Sequence, residues 1–151
     1  YTHLNGSTSK LLNIVDSNRK CREVIKSGAF GESIRHNGVV PVLLNHTSLI
    51  ANTRDVAMYE DNVGLMVAFK TDDLNIIRKI IDNKICGCSF GFIAEEQSYT
   101  DKGEYIERLV TQLQLTEVTL TDRPGQAVYE DYKFLGMYLP ENIKRALNIG
   151  R

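Results

Sequence analysis

The sequence predicts an α+β fold in which β structure dominates, a small barrel or strongly curved sheet flanked by helices. Three observations carry this. β-rich runs bounded by turn residues occupy both halves of the chain. One strongly amphipathic helical stretch lies between them, at about residues 73–83. Strands and helices do not alternate at the spacing that βαβ units need. At 151 residues the chain fits one domain, 1–151, around a single hydrophobic core.

The first twenty residues are polar and weakly patterned, a poorly ordered or variable start with a turn at Asn5-Gly6. Cys21 to Ile25 reads as a short strand and Ala29 to Ile34 as one or two helical turns. Val39 to Leu44 is β-rich, and Pro41 within it favours an edge or a strand start. Between Thr53 and Thr71 a hairpin is expected, with Asp55–Tyr59 and Leu65–Phe69 flanking the turn-rich Glu60–Gly64. The period then changes. Leu74, Ile77 and Ile81 share a helical stripe with Ile76 and Ile80 beside it, and Asp72 and Asp73 stand where carboxylates cap free amides. Two long β runs follow, Ile85–Ala94 and Tyr105–Thr121, with a turn at Asp101-Lys102-Gly103. Pro140 to Asn148 reads as a last helix, proline in its first turn and Gly150 past its end.

Bulk chemistry narrows the function. Eighteen basic residues against nineteen acidic ones give a net charge of −1 with no concentrated basic surface, which argues against nucleic-acid binding. No stretch approaches the roughly 20 apolar residues of a membrane span. Residues 1–20 hold no apolar core of a signal peptide, and the missing initiator Met predicts Tyr1 as a truncation or processing point. Cys21, Cys86 and Cys88 have no framework spacing and no second ligand pair for zinc, so reduced thiols in a cytoplasmic compartment are expected.

Gly87-Cys88-Ser89-Phe90-Gly91 matches G-x-S-x-G, the nucleophile-elbow pattern of α/β-hydrolases. Chain order rules that fold out, because there the acid and the histidine both follow the serine. Here His3, His36 and His46 all precede Ser89, and Ser89 follows a helix and enters a strand. A serine hydrolase of another fold needs a base and a group that orients it. His46 is the best candidate base, at the end of the apolar Leu43-Leu44-Asn45. His36 sits in a polar turn and His3 near a frayed terminus. Glu117 is the candidate orienting acid. Simple alternation places it on the face of Leu113 and Leu115, but Val118 and Leu120 opposite are an equally apolar set. The plain alternatives are a surface loop histidine and an exposed strand glutamate. Cys88 or Cys86 as nucleophile would make a cysteine hydrolase instead, although nothing nearby lowers a thiol pKa.

Read in order, these pieces resemble the prohead protease family of tailed bacteriophages. Arg22 to Phe30 resembles its "R-E-V-I-x-x-G-A-F" opening, and Val42 to His46 its apolar strand ending in Asn-His. Glu60 to Leu65 resembles "E-D-x-x-G-L", and Cys88 to Phe92 carries S-x-G-F. Thr116 to Gly125 resembles the "E-V-S-L-V-x-x-P-A" ending, with Thr119 where serine is common and Gly125 in place of alanine. The resemblance spans about residues 22–130. It implies a β-barrel surrounded by helices, similar to the herpesvirus assembly protease. It implies Ser89 as nucleophile, His46 as general base and Glu117 as third member, with no metal or cofactor. It implies capsid and scaffold proteins as substrates during virion assembly, self-cleavage, a homodimer or higher self-assembly, and action inside assembling proheads in the host cytoplasm. A catalytically silent assembly module of the same fold is the non-enzymatic alternative.

Overall fold

The computed structural model describes residues 1–14 and 18–149. In chain order these form β1 (His3–Leu4), β2 (Leu12–Asn13), β3 (Lys20–Ile25), α1 (Ala29–Asn37), β4 (Val42–Leu44), β5 (Ser48–Ala51), β6 (Val56–Glu60) and β7 (Gly64–Phe69). Then come α2 (Leu74–Ile81), β8 (Gly87–Asp101), β9 (Ile106–Thr121) and α3 (Glu141–Leu147). β structure dominates, as expected. Gly150, expected to follow the last helix, lies outside the described residues.

The larger sheet is organised by β9. β8 pairs antiparallel with it from Gly87↔Thr121 to Asp101↔Ile106. The other edge of β9 is shared between two strands. β3 lies parallel to its first part, Cys21↔Ile106 to Ile25↔Val110. β4 lies parallel to its last part, Val42↔Val118 to Leu44↔Leu120. Two strands that both run parallel to a third need a crossover between them, and α1 supplies it. β2 extends β3 and β5 extends β4, both antiparallel.

A second, antiparallel sheet has the order β1-β7-β6. Met58 and Leu65 from it share one core with Phe90, Leu113, Leu115 and Val118 from the larger sheet and Phe30 from α1. The expected closed barrel does not form among the described residues. The 3-10 turn Thr53–Asp55 carries the chain from β5 into β6 without pairing them, and the sheets share side-chain packing but no ladder.

Helix ends show where local signals were enough. Asp73 accepts from the N–H groups of Asn75 and Ile76 at 2.9 and 3.3 Å, so α2 starts where its sequence says. Ile76 and Ile77 are its buried pair. α1 has no such local cap and runs on through Arg35, His36 and Asn37, which the sequence suggests as a turn. Its start is satisfied from a distant strand: Glu60 accepts from Gly28 N–H at 2.6 Å and Gly31 N–H at 2.8 Å.

His3 is not frayed. It is 1% exposed, with its ring edge-on to Phe30, Phe90 and Tyr129 at centroid distances of 5.2, 5.3 and 4.7 Å. Behind this aromatic box lies a buried ion pair. Glu23 accepts from Arg108 Nη1 at 2.7 Å and from the Tyr129 hydroxyl at 2.8 Å.

Candidate active site

Ser89 is the third residue of β8, in regular strand rather than at a strand-to-helix elbow. Side chains two apart in a strand share a face. Gly87, Ser89 and Gly91 therefore line one face, and Cys88 and Phe90 the other, where both are buried in the core. G-x-S-x-G here means a serine flanked on its own face by two residues without side chains. At Gly91 the bareness makes room for the acid: a Cβ would stand 2.7 Å from Glu117 Oε1 and 2.8 Å from Thr116 Oγ1.

Glu117 reaches that face because β9 is bulged. Gly91 pairs with Glu117 but Phe92 pairs with Leu115, which leaves Thr116 as an extra residue on β9. The extra residue resets the alternation. Leu113 and Leu115 before it and Val118 and Leu120 after it are all buried toward the core. Straight alternation, which puts Glu117 on the face of Leu113 and Leu115, is thus corrected: Glu117 shares its face with Thr119, the register partner of Ser89. α1 backs the bulge, with Ser33 Oγ accepting from Leu115 N–H at 2.9 Å.

His46 arrives on a tight turn between β4 and β5. Thr47 N–H donates to Leu44 C=O at 3.1 Å, and Asn45 and His46 between them have φ of 52° and 62°. Positive φ at both central positions is the pattern of a type I′ turn. For residues other than glycine it costs about 1–2 kcal/mol each. Bonds to the end of β9 offset that cost. Asn45 N–H donates to Leu120 C=O at 2.8 Å, and its side-chain oxygen accepts from Thr121 Oγ1 at 2.9 Å. Asn45 Nδ2 donates to Asp122 Oδ1 at 2.9 Å. Lys79 of α2 meets the other Asp122 oxygen at 2.9 Å. Lys79 first, then Asn45, hold the Asp122 carboxyl below its usual range, so it stays an acceptor for the turn. The His46 N–H itself donates to Thr119 Oγ1 at 2.8 Å.

The ring of His46 meets Glu117, Nδ1 to Oε1, at 2.5 Å. The imidazole is half exposed and the carboxylate 14% exposed. A carboxylate only accepts, so Nδ1 carries the proton and Nε2 is left as the basic nitrogen. The structure thus brings His46 and Glu117 into contact and puts Ser89 on the same face, two register pairs from Glu117. Ser89 and His46 are not hydrogen-bonded to each other; the bonds of His46 go to Thr119 and Glu117.

The other candidates lie elsewhere. His36 is exposed on the last turn of α1, paired with Glu32 at 2.8 Å. Cys88 points into the core with Val42, Ala51 and Leu120, and burial pushes its thiol up to about 12. Both facts oppose a cysteine nucleophile served by His46. An apolar cavity of about 790 Å³ lies between β7, α2 and residues 132–140, and Val42, Cys88, Val118 and Leu120 line it from the core side of the sheet. It is across the sheet from Ser89. No helix among the described residues is long and apolar enough to cross a membrane. Sequence reasoning missed Asn45, Ser33 and the contact of Thr119 with His46. Only Asn45 carried a signal, as an asparagine that tolerates positive φ just before the histidine.

Residues 1–131 match the model of the caudovirus prohead serine protease family. The match begins at residue 1, well ahead of the resemblance seen from Arg22 onward. No curated protein and no solved structure matches the chain.

Proposed function

Because the chain belongs to the caudovirus prohead serine protease family and is a serine endopeptidase of phage capsid maturation, we propose that Ser89, His46 and Glu117 are its catalytic triad. The observation that carries this is the 2.5 Å contact between His46 Nδ1 and Glu117 Oε1 on the face that bears Ser89.

His46 Nε2 takes the Ser89 proton as Oγ attacks the scissile carbonyl, then returns it to the leaving amine. Glu117 holds the tautomer and stabilises the imidazolium. Proton transfer needs Nε2 within about 3 Å of Oγ, and such contacts commonly tighten only when substrate binds. The half-exposed ring of His46 has room to make that adjustment. Water then hydrolyses the acyl-enzyme by the same base.

The substrates in this reading are scaffold and capsid proteins inside the assembling prohead in the host cytoplasm, and the chain itself. Residues 1–151 act as one protease domain, with a helix-flanked β scaffold akin to the herpesvirus assembly protease; two sheets sharing one core support that kinship. Self-association belongs to the same proposal. The exposed apolar run of Phe134, Leu135, Met137 and Tyr138 supports it, since such patches mark contact surfaces.

The test is processing of co-expressed capsid and scaffold proteins by the wild type, Ser89→Ala and His46→Ala, with folding followed by circular dichroism. Processing is expected to vanish in both variants. Processing that persists in Ser89→Ala would remove the serine from the mechanism.

A further inference from the structure

We infer that Thr119 is a positioning residue for the histidine: its hydroxyl sets the place of His46 between Glu117 and Ser89. The inference rests on the triad reading above and deepens it.

The turn that carries His46 is held mostly through its neighbours. Asn45 has its backbone N–H and its whole side-chain amide bonded to the end of β9. His46 has one tether on its own peptide, the 2.8 Å bond to Thr119 Oγ1. A residue at positive φ without glycine's freedom does not rest there unless its surroundings hold it. Loss of that tether would free the peptide plane that aims the imidazole.

Thr119 is well built for the task. It is fully buried, at 0% exposure, and its β-branched side chain is stiff at χ1, so the hydroxyl has a fixed position. It stands two residues from Glu117 on one strand and directly opposite Ser89 on the next. One side chain therefore touches the base while its own strand supplies the acid and its register partner is the nucleophile. The spacing of acid, nucleophile and tether is thus set by the pleat of one paired sheet, and the tether ties the turn to it.

The bland reading is that the bond merely satisfies a buried hydroxyl. The two readings differ in what they predict for the imidazole. The experiment uses the full chain as wild type, Thr119→Val, Thr119→Ser, Ser89→Ala and His46→Ala. Two quantities are read: the rate of labelling by a fluorophosphonate serine probe across pH, and the low-field proton resonance of His46 Nδ1–H on Glu117. Thr119→Val, which keeps the shape and removes the acceptor, is expected to label about 10- to 100-fold more slowly, as sub-ångström to ångström misplacement does. It should also lose or broaden the low-field resonance while its melting transition remains cooperative. Thr119→Ser should restore both. If Thr119→Val does not fold, Thr119→Ala carries the same expectation, because it also lacks the hydroxyl and leaves space. A Val or Ala variant with wild-type labelling and an intact resonance overturns the inference. So does a Ser variant as impaired as the Val variant. Should Ser89→Ala or His46→Ala still label like wild type, the triad reading is what fails. The resonance alone then decides whether Thr119 holds the ring.

Discussion

Replacing Gly91 with alanine perturbs the site through a single methyl group, and its effect can be worked from distances. The new Cβ would stand 2.7 Å from Glu117 Oε1, where ordinary contact starts at 3.4 Å. The carboxylate must therefore retreat by about 0.7 Å (3.4 − 2.7). A retreat directed along the bond to His46 would lengthen 2.5 Å to at most about 3.2 Å, the outer edge of a useful hydrogen bond. Displacements on this scale cost about 10- to 100-fold in rate, while overpacking of one methyl costs about 1–2 kcal/mol of stability. Gly87→Ala is the internal control. Its Cβ would meet Ala127 Cβ and Thr121 Cγ2, both at 3.1 Å, and neither belongs to the His46–Glu117 contact. The assay is the labelling rate of Ser89 by a fluorophosphonate, with urea unfolding in parallel. Gly91→Ala should label far more slowly than Gly87→Ala at similar stability. Equal rates in the two variants, or a Gly91→Ala variant as fast as wild type, would refute the role given to Glu117.

Three further outcomes follow from other parts of the molecule. Burial pushes His3 from 6.5 down to about 4, so between those values the unfolded chain binds a proton that the folded chain excludes. Stability should fall as pH drops below about 6.5, by about 3 kcal/mol near pH 4. In His3→Phe that share of the pH dependence should disappear from urea titrations, and an unchanged slope would contradict it. Iodoacetamide should modify the exposed Cys86 and spare the buried Cys88, with proteolysis retained; mass spectrometry showing Cys88 alkylated in active protein would overturn its buried placement. Arg108→Leu leaves the Glu23 carboxylate buried with one partner fewer and should cost about 3 kcal/mol in urea unfolding. Adding Glu23→Gln should recover part of the loss, and additive losses would contradict the pairing.

Much of the architecture was legible because its signals are local. Asp73 caps the helix it precedes, Pro41 stands just ahead of a strand, and Asp101-Lys102-Gly103 closes the longest hairpin. Ser89 and His46 could be proposed from motif and chain order alone. What stayed hidden depends on partners far along the chain. The face of Glu117 turns on a bulge at Thr116, which has no residue signature and is backed by Ser33, 82 positions from Leu115. The cap of α1 comes from Glu60, 29 residues from Gly31. His3 lies among Asn, Gly, Ser and Thr that read as solvated, and its burial is decided by aromatic rings from three other segments.

The sharing of β9 among β8, β3 and β4 has a consequence for how this molecule opens and closes. Ligand-binding segments are commonly drawn from the parts of a protein that exchange their amides most readily. Here the acid lies on the central strand, the serine on the strand paired with it along its length, and the histidine on a turn bonded to its end. Amides of β9 that bond to β8, β3 and β4 should be among the slowest of the molecule to exchange with solvent, so the strands that carry Ser89 and Glu117 hold together as long as the core does. Control of the proposed site then acts at the His46 turn or at substrate access rather than by melting the β9 scaffold.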